Sequence, residues 1–113
     1  FLPVFSNIAL PFLKFLSILD NLERAKAQIP EDLKNSDWVN GIFQIENQFR
    51  NFLKEEGIDE IKTEGEHFDP NFHEAVGEVE AKDSKPGQIV EVLEKGYLLN
   101  GQLLRPAKVK VAK

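Results

Sequence analysis

The stretch FRNFLKEEGIDEIKT, residues 49–63, changes its period at Gly57, and that change decides the fold. Before it, Phe49, Phe52 and Leu53 follow helical spacing; after it, short apolar runs rich in β-branched residues alternate with turn residues. Gly57 stands where a left-handed residue closes a helix.

Working back from Gly57, Trp38, Ile42, Ile45, Phe49, Phe52 and Leu53 mark the buried stripe of a helix that Ser36 or Asp37 caps. Residues 30–36 read as a polar loop. Before that loop, Phe12, Phe15, Leu16, Leu19, Leu22, Ala25 and Ile29 recur at three- and four-residue steps. Pro11 is expected in the first turn of this helix, and Pro30 follows its end. Two helices on a short loop make an antiparallel hairpin, and two hairpins make a four-helix bundle. The stripes are too apolar for a monomeric hairpin, so dimerisation is expected through Phe12, Phe15, Leu16, Leu19, Leu22, Ile42, Ile45, Phe49 and Phe52.

Working forward, residues 58–63, 75–80, 88–94, 97–99 and 108–112 read as strands. Val76, Val79, Ile89, Val92, Leu98, Val109 and Val111 are the expected core. Turns are marked by Gly65, Asp69-Pro70-Asn71, residues 83–87, Gly96 and Asn100-Gly101, the last a hairpin signal between Leu98-Leu99 and Leu103-Leu104. The loop 81–87 is the expected mobile segment. The fold class is α+β, with a helical region over residues 1–57 and a small, mostly antiparallel β module over residues 58–113.

Composition narrows the function. The 113 residues carry a net charge of −5, against the basic footprint that nucleic-acid binding needs. The chain has no cysteine, which excludes disulfides and thiolate metal sites and fits a reducing compartment. Residues 1–19 carry one charge, Lys14, but Pro3, Asn7 and Pro11 break the run and no signal-peptide pattern is present. A chain that opens on Phe1 reads as part of something longer.

No phosphate-cradling loop or nucleophile elbow appears. Glu64, Glu66, His67, Asp69, His73 and Glu74 invite a metal or acid–base reading, yet their spacing is not that of a helical zinc motif. Asp69-Pro70-Asn71 looks instead like a locally capped turn. Asp20, Glu23, Arg24, Glu46 and Arg50 read mainly as a solvated helix face, with partner contact by one or two of them the competing reading.

Four ordered blocks carry a family resemblance over roughly residues 12–113. Residues 68–76, FDPNFHEAV, are similar to the F-D-P-x-x-H-E-A-V segment of GrpE proteins. Pro86-Gly87 with Ile89 to Val92 and Lys95 to Leu99 resembles the P-G-x-V-x-x-V-x-x-K-G-Y-x-L block. Residues 104–112, LRPAKVKVA, resemble the terminal L-R-P-A-x-V-x-V-A, and residues 19–25 match L-D-N-L-E-R-A. The resemblance implies a homodimer whose short helices form the bundle and whose β wings project from it. It further implies a co-chaperone that binds the ATPase domain of a DnaK-type chaperone and promotes nucleotide release. No enzyme activity, cofactor or metal is implied. A bacterial cytoplasm, a mitochondrial matrix or a plastid stroma would suit such a protein. The family's long paired N-terminal helix is missing, and residues 1–10 match no family block.

By the same resemblance, Gly41, Asn100, Gly101, Gln102, Arg105 and Val111 are the expected partner contacts. Plainer roles compete: Gly41 easing helix packing, Arg105 pairing with an acidic neighbour, Val111 filling core. Lys108 stands where the family often has Met, and Gln102 where a basic residue often follows Asn-Gly; if that basic residue contacts the chaperone, a weaker or redistributed contact is expected here. Two other functions compete with exchange. A metal-dependent hydrolase built on His67, Asp69 and His73 would hold stoichiometric metal, and a membrane-associated adaptor anchored by residues 1–19 would float with liposomes.

Overall fold

Helix-forming sequence fills the first half of the chain, and a computed structural model describes the backbone of residues 2–113 and the side chains from Ile8 onward. Phe1 and the side chains through Asn7, part of the apolar run 1–19, lie outside the described residues. The chain divides into two units, Phe1–Gly57 and Ile58–Lys113.

In the first unit, α1 spans Leu2–Ala27 and α2 spans Asp37–Glu55, joined through a 3-10 turn at Glu31–Leu33. The expected helix start at Pro11 is corrected, because α1 runs through that residue. Proline has no N–H to give the carbonyl of Asn7, so the helix carries a local defect there that costs about 3 kcal/mol. The far end of α2 follows the reading: Glu56 closes the last turn and Gly57 takes φ 86°. Lys26 meets Glu46 and Phe15 meets Phe52, so the two helices run antiparallel.

The buried set of this unit is Ala9, Leu16, Leu19, Val39, Glu46 and Leu53. Val39, Glu46 and Leu53 recur every seven residues, so one narrow face of α2 turns inward. The expected stripe holds at Leu53 and, half-buried, at Ile42 and Phe49, but not at the positions one residue before Val39, Glu46 and Leu53. Trp38, Ile45 and Phe52, each one residue earlier, form a second seven-residue stripe that stays exposed. Glu46 is corrected too, since it is 3% exposed rather than part of a solvated face.

In the second unit, β1 (Ile58–Glu60), β4 (Tyr97–Leu99) and β5 (Gln102–Arg105) make one sheet in the order β1-β4-β5. The other contains β2 (His73–Val79), β3 (Ile89–Glu94) and β6 (Ala107–Ala112) in the order β2-β6-β3. All pairings are antiparallel except β2 with β6, which is parallel. The register Ile89↔Val111, Val92↔Val109 and Glu94↔Lys108 runs on through Tyr97↔Arg105 to Leu99↔Gln102. One long hairpin thus passes from one sheet to the other, turning its corner at Gly96 on one arm and Pro106 on the other.

Its core joins Ile89, Ala107, Val109 and Val111, with Phe68 and Val92 packed on them. Val76, expected inside, is 44% exposed. The register slips between Ala75 and Gly77, so Val76 is the extra residue of a bulge and faces outward. Strand β5 and the buried Ile58, Ile61, Tyr97 and Leu99 complete the module. In the loop 81–87, Ser84 N–H bonds Ala81 O, and the Gln88 side chain ties Lys85 N–H to the carbonyl of Gly65.

Candidate functional site

The helical hairpin combines a buried charge cluster with an uncovered apolar face. Glu46 accepts from Lys26 Nζ at 2.8 Å and from Arg50 Nη2 at 3.1 Å, while Arg50 also bonds Glu23. Burial by itself would push the Glu46 carboxyl up. Hydrogen bonding with Glu23, Lys26 and Arg50, with the pull of the Lys26 ammonium, wins, and the pKa falls from 4.5 to about 2. Lys26 also sits 5.1 Å from the centre of the Phe43 ring. The cluster thus fixes how α1 lies on α2.

That fixed packing sets which apolar side chains remain outside. Leu16 and Leu19 are buried within the protomer and serve its own core. Phe12, Leu22, Ile42 and Phe49 are half-buried, while Phe15, Ile45 and Phe52 are exposed. Phe15 stacks obliquely on Phe52 at 5.8 Å and on Phe49 at 6.5 Å. With Gln48 these rings line an open groove of about 400 Å³. Ile8, Ile18 and Trp38 extend the exposed apolar surface; none is in the expected dimerisation set, although Trp38 is in the expected stripe. The seven-residue spacing of 38, 45 and 52 was the signal that could have found Trp38. Gly41 is half-buried, and a Cβ there would meet nothing within 4 Å, so packing inside the protomer does not demand glycine.

On the β module, Asn100 and Gly101 form the hairpin tip with φ 49° and 85°, the pattern of a type I′ turn. Gln102 follows, exposed. Arg105 faces the corner of the long hairpin: its Nε donates to Lys95 O at 2.8 Å, its Nη1 lies 3.7 Å from Glu94, and its guanidinium lies 5.4 Å from the Tyr97 ring centre. Val111 is 8% exposed, within the core. Of the six expected contact residues, Gly41 and the tip Asn100–Gln102 present surface, while Arg105 and Val111 are engaged mainly by the fold.

The His/carboxylate segment is a turn. Asp69 accepts Asn71 N–H at 2.9 Å on its side chain and His73 N–H at 2.8 Å on its carbonyl. His73 is buried; its Nδ1 accepts Asp69 N–H at 2.9 Å, which makes Nε2 the protonated nitrogen that donates to Lys62 O at 3.1 Å. With both ring nitrogens occupied, His73 has no lone pair for a metal. Among the described residues no group of three or more metal-ligating side chains converges. Nor is any helix among them long and apolar enough to cross a membrane.

Hairpin and two-sheet module together define an α+β chain of helical hairpin followed by β domain. The family model for GrpE matches residues 8–113, and the chain belongs to the GrpE family. It is 44% identical over 103 residues to Protein GrpE of Brachyspira hyodysenteriae, covering 89% of this chain and 52% of that protein. It is 47% identical over 100 residues to Protein GrpE of Enterococcus faecalis, covering 88% and 56%. With Protein GrpE of Campylobacter curvus the identity is 40% over 108 residues, covering 96% and 57%. The chain spans about half the length of these curated relatives.

Proposed function

We propose that this chain is the dimerising and chaperone-binding part of a nucleotide exchange factor, a non-enzymatic co-chaperone that speeds nucleotide release from a DnaK-type ATPase domain. The observation that carries the reading is the GrpE match across residues 8–113. The bacterial relatives favour a bacterial cytoplasm. No bond is made or broken. A protein that holds the open, nucleotide-poor form of the ATPase more tightly than the closed form shifts its population open. By reciprocity, nucleotide must then weaken the grip of the exchange factor by the same factor.

The uncovered stripe fits a second copy of the chain, giving the four-helix bundle. Trp38, Ile45 and Phe52, with the half-buried Ile42 and Phe49 between them, follow the alternating four- and three-residue steps that a helix seam requires. Ile45→Asp is expected to weaken the dimer by about 100-fold or more, because each interface loses a buried side chain worth about 1.5–3 kcal/mol in two copies. Sedimentation velocity should show the wild type as a dimer and the variant as a monomer at low micromolar concentration.

On the partner side, the reading assigns contacts to Gly41 and to the tip Asn100–Gln102, with Arg105 and Val111 holding the surface in shape. The function is tested by release of labelled ADP from a DnaK-type chaperone, which this protein should accelerate at micromolar concentration. Absence of acceleration contradicts the proposal. Gly41→Ala discriminates further: it should stabilise the protomer by up to about 1 kcal/mol through helix propensity, yet slow the accelerated release. Unchanged acceleration would make Gly41 a bystander.

A further inference from the structure

We infer that Asn100 is a site of spontaneous deamidation, reached through a cyclic imide formed by the backbone nitrogen of Gly101. The inference stands on local chemistry and is independent of the proposed exchange function. Deamidation of this kind requires the nitrogen of the following residue to attack the side-chain carbonyl. A glycine in that place offers the least hindrance, because it has no Cβ.

The chain contains two Asn-Gly pairs, at 40–41 and 100–101, and the fold treats them differently. Asn40 lies in the first turns of α2, where its own N–H bonds Ser36 O at 3.0 Å and helix geometry engages the Gly41 N–H one residue on. Attack there requires the helix to open. Asn100 and Gly101 are both exposed, outside any strand, at the tip of a two-residue turn. Among the described residues neither the Asn100 side-chain amide nor the Gly101 N–H has a hydrogen-bond partner, so attack asks only that the side chain rotate and the exposed tip peptide turn about the Asn100 Cα–C bond, with no helix to open. The pair has the fewest restraints at the place with the least hindrance.

The reaction balances with water as the only co-reactant. Base removes the Gly101 amide proton, the nitrogen bonds to Asn100 Cγ, and the side-chain nitrogen leaves as ammonia. Water then opens the five-membered imide at one of its two carbonyls. Opening at Cγ leaves aspartate; opening at the main-chain carbonyl leaves isoaspartate, with one extra methylene in the backbone. Either product puts a carboxylate beside Gln102. Isoaspartate also lengthens a turn whose type depends on two residues at positive φ, so the Leu99↔Gln102 register cannot persist unchanged.

The test is timed incubation of the whole folded chain at mildly alkaline pH, followed by peptide mapping for the amide-to-acid mass change. Isoaspartyl methyltransferase labelling identifies the isomer. Conversion at position 100 should outrun conversion at position 40 by on the order of tenfold or more, since helix opening precedes reaction at one site only. In denaturant the two rates should converge. Comparable rates in the folded protein, or an intact Asn100 over a period in which the denatured chain converts at both pairs, would overturn the inference. Asn100→Gln should abolish the modified species in the tip peptide, and its persistence would place the reaction elsewhere.

Discussion

Replacing Gly96 by alanine is expected to cost the β module about 3 kcal/mol, enough to unfold much of the population of a marginally stable domain. The reason is steric. Gly96 is buried at the corner of the long hairpin, and a Cβ there would lie 2.4 Å from Ala107 N, 2.8 Å from Pro106 C and 2.9 Å from Ala107 Cα. All three are backbone atoms of the opposite arm, so no rotamer change relieves the clash. Separating the arms would also disturb the bond from Ile61 N–H to Gly96 O and the grip of Arg105 on Lys95 O. Urea unfolding of the wild type and Gly96→Ala should show the midpoint fall together with native-state protection of β4 and β6 amides. An unchanged midpoint would mean that the two arms do not approach as described.

The second large effect lies in the helices. Glu46→Ala leaves Lys26 and Arg50 facing a buried site without its carboxylate, and is expected to cost about 2–4 kcal/mol, since Arg50 keeps Glu23 and both cations reach solvent. The same carboxylate makes the helical unit acid-sensitive. Its folded pKa is about 2 and its ordinary value 4.5, so the stabilisation is fully present above pH 4.5 and is lost as pH falls toward 2. The amount at stake is on the order of 3 kcal/mol. Stability followed by helical circular dichroism should decline across that window in the wild type. Glu46→Gln should be less stable at neutral pH and decline less steeply. Equal slopes would show that other carboxylates govern acid unfolding.

Much of this architecture is legible in the chain because single residues with special backbone needs mark it. Gly57 ends α2 at positive φ, and Asn100-Gly101 forms the turn that its dipeptide signature announces. What stays hidden depends on contacts between elements. Pro11 reads as a helix start because proline favours a first turn, but α1 begins at Leu2 and runs through it. On α2, Trp38, Ile45, Phe52 and Leu53 read together as one apolar stripe, with Ile45 and Phe52 also at a dimer interface. Within the protomer the hairpin instead buries Val39, Glu46 and Leu53 and leaves 38, 45 and 52 outside. A pattern wide enough for two faces does not say which face meets α1 and which remains outside. Glu46 looks solvated until Lys26 and Arg50 are seen converging on it. Val76 fits a core strand by type, and only the bulge turns it out.

The candidate site was legible in the same uneven way. The Asn-Gly signal located the hairpin tip, but nothing in the sequence showed the corner at Pro106 or that Arg105 spends its guanidinium on Lys95, Glu94 and Tyr97. The segment around His73 invites chemistry because histidine and carboxylates cluster there, but its Asp69-Pro70-Asn71 signature already reads as a structural turn. The hydrogen bonds of His73 to Asp69 N–H and Lys62 O give it a structural role.

A nucleotide exchange factor must prefer one state of its partner, and that preference is directly measurable. The affinity of this chain for a DnaK-type ATPase domain should be determined by calorimetry, once with the domain free of nucleotide and once saturated with ADP. Tighter binding to the empty domain by a factor of about 5–150 is the predicted result. Equal affinity for the two forms would contradict it.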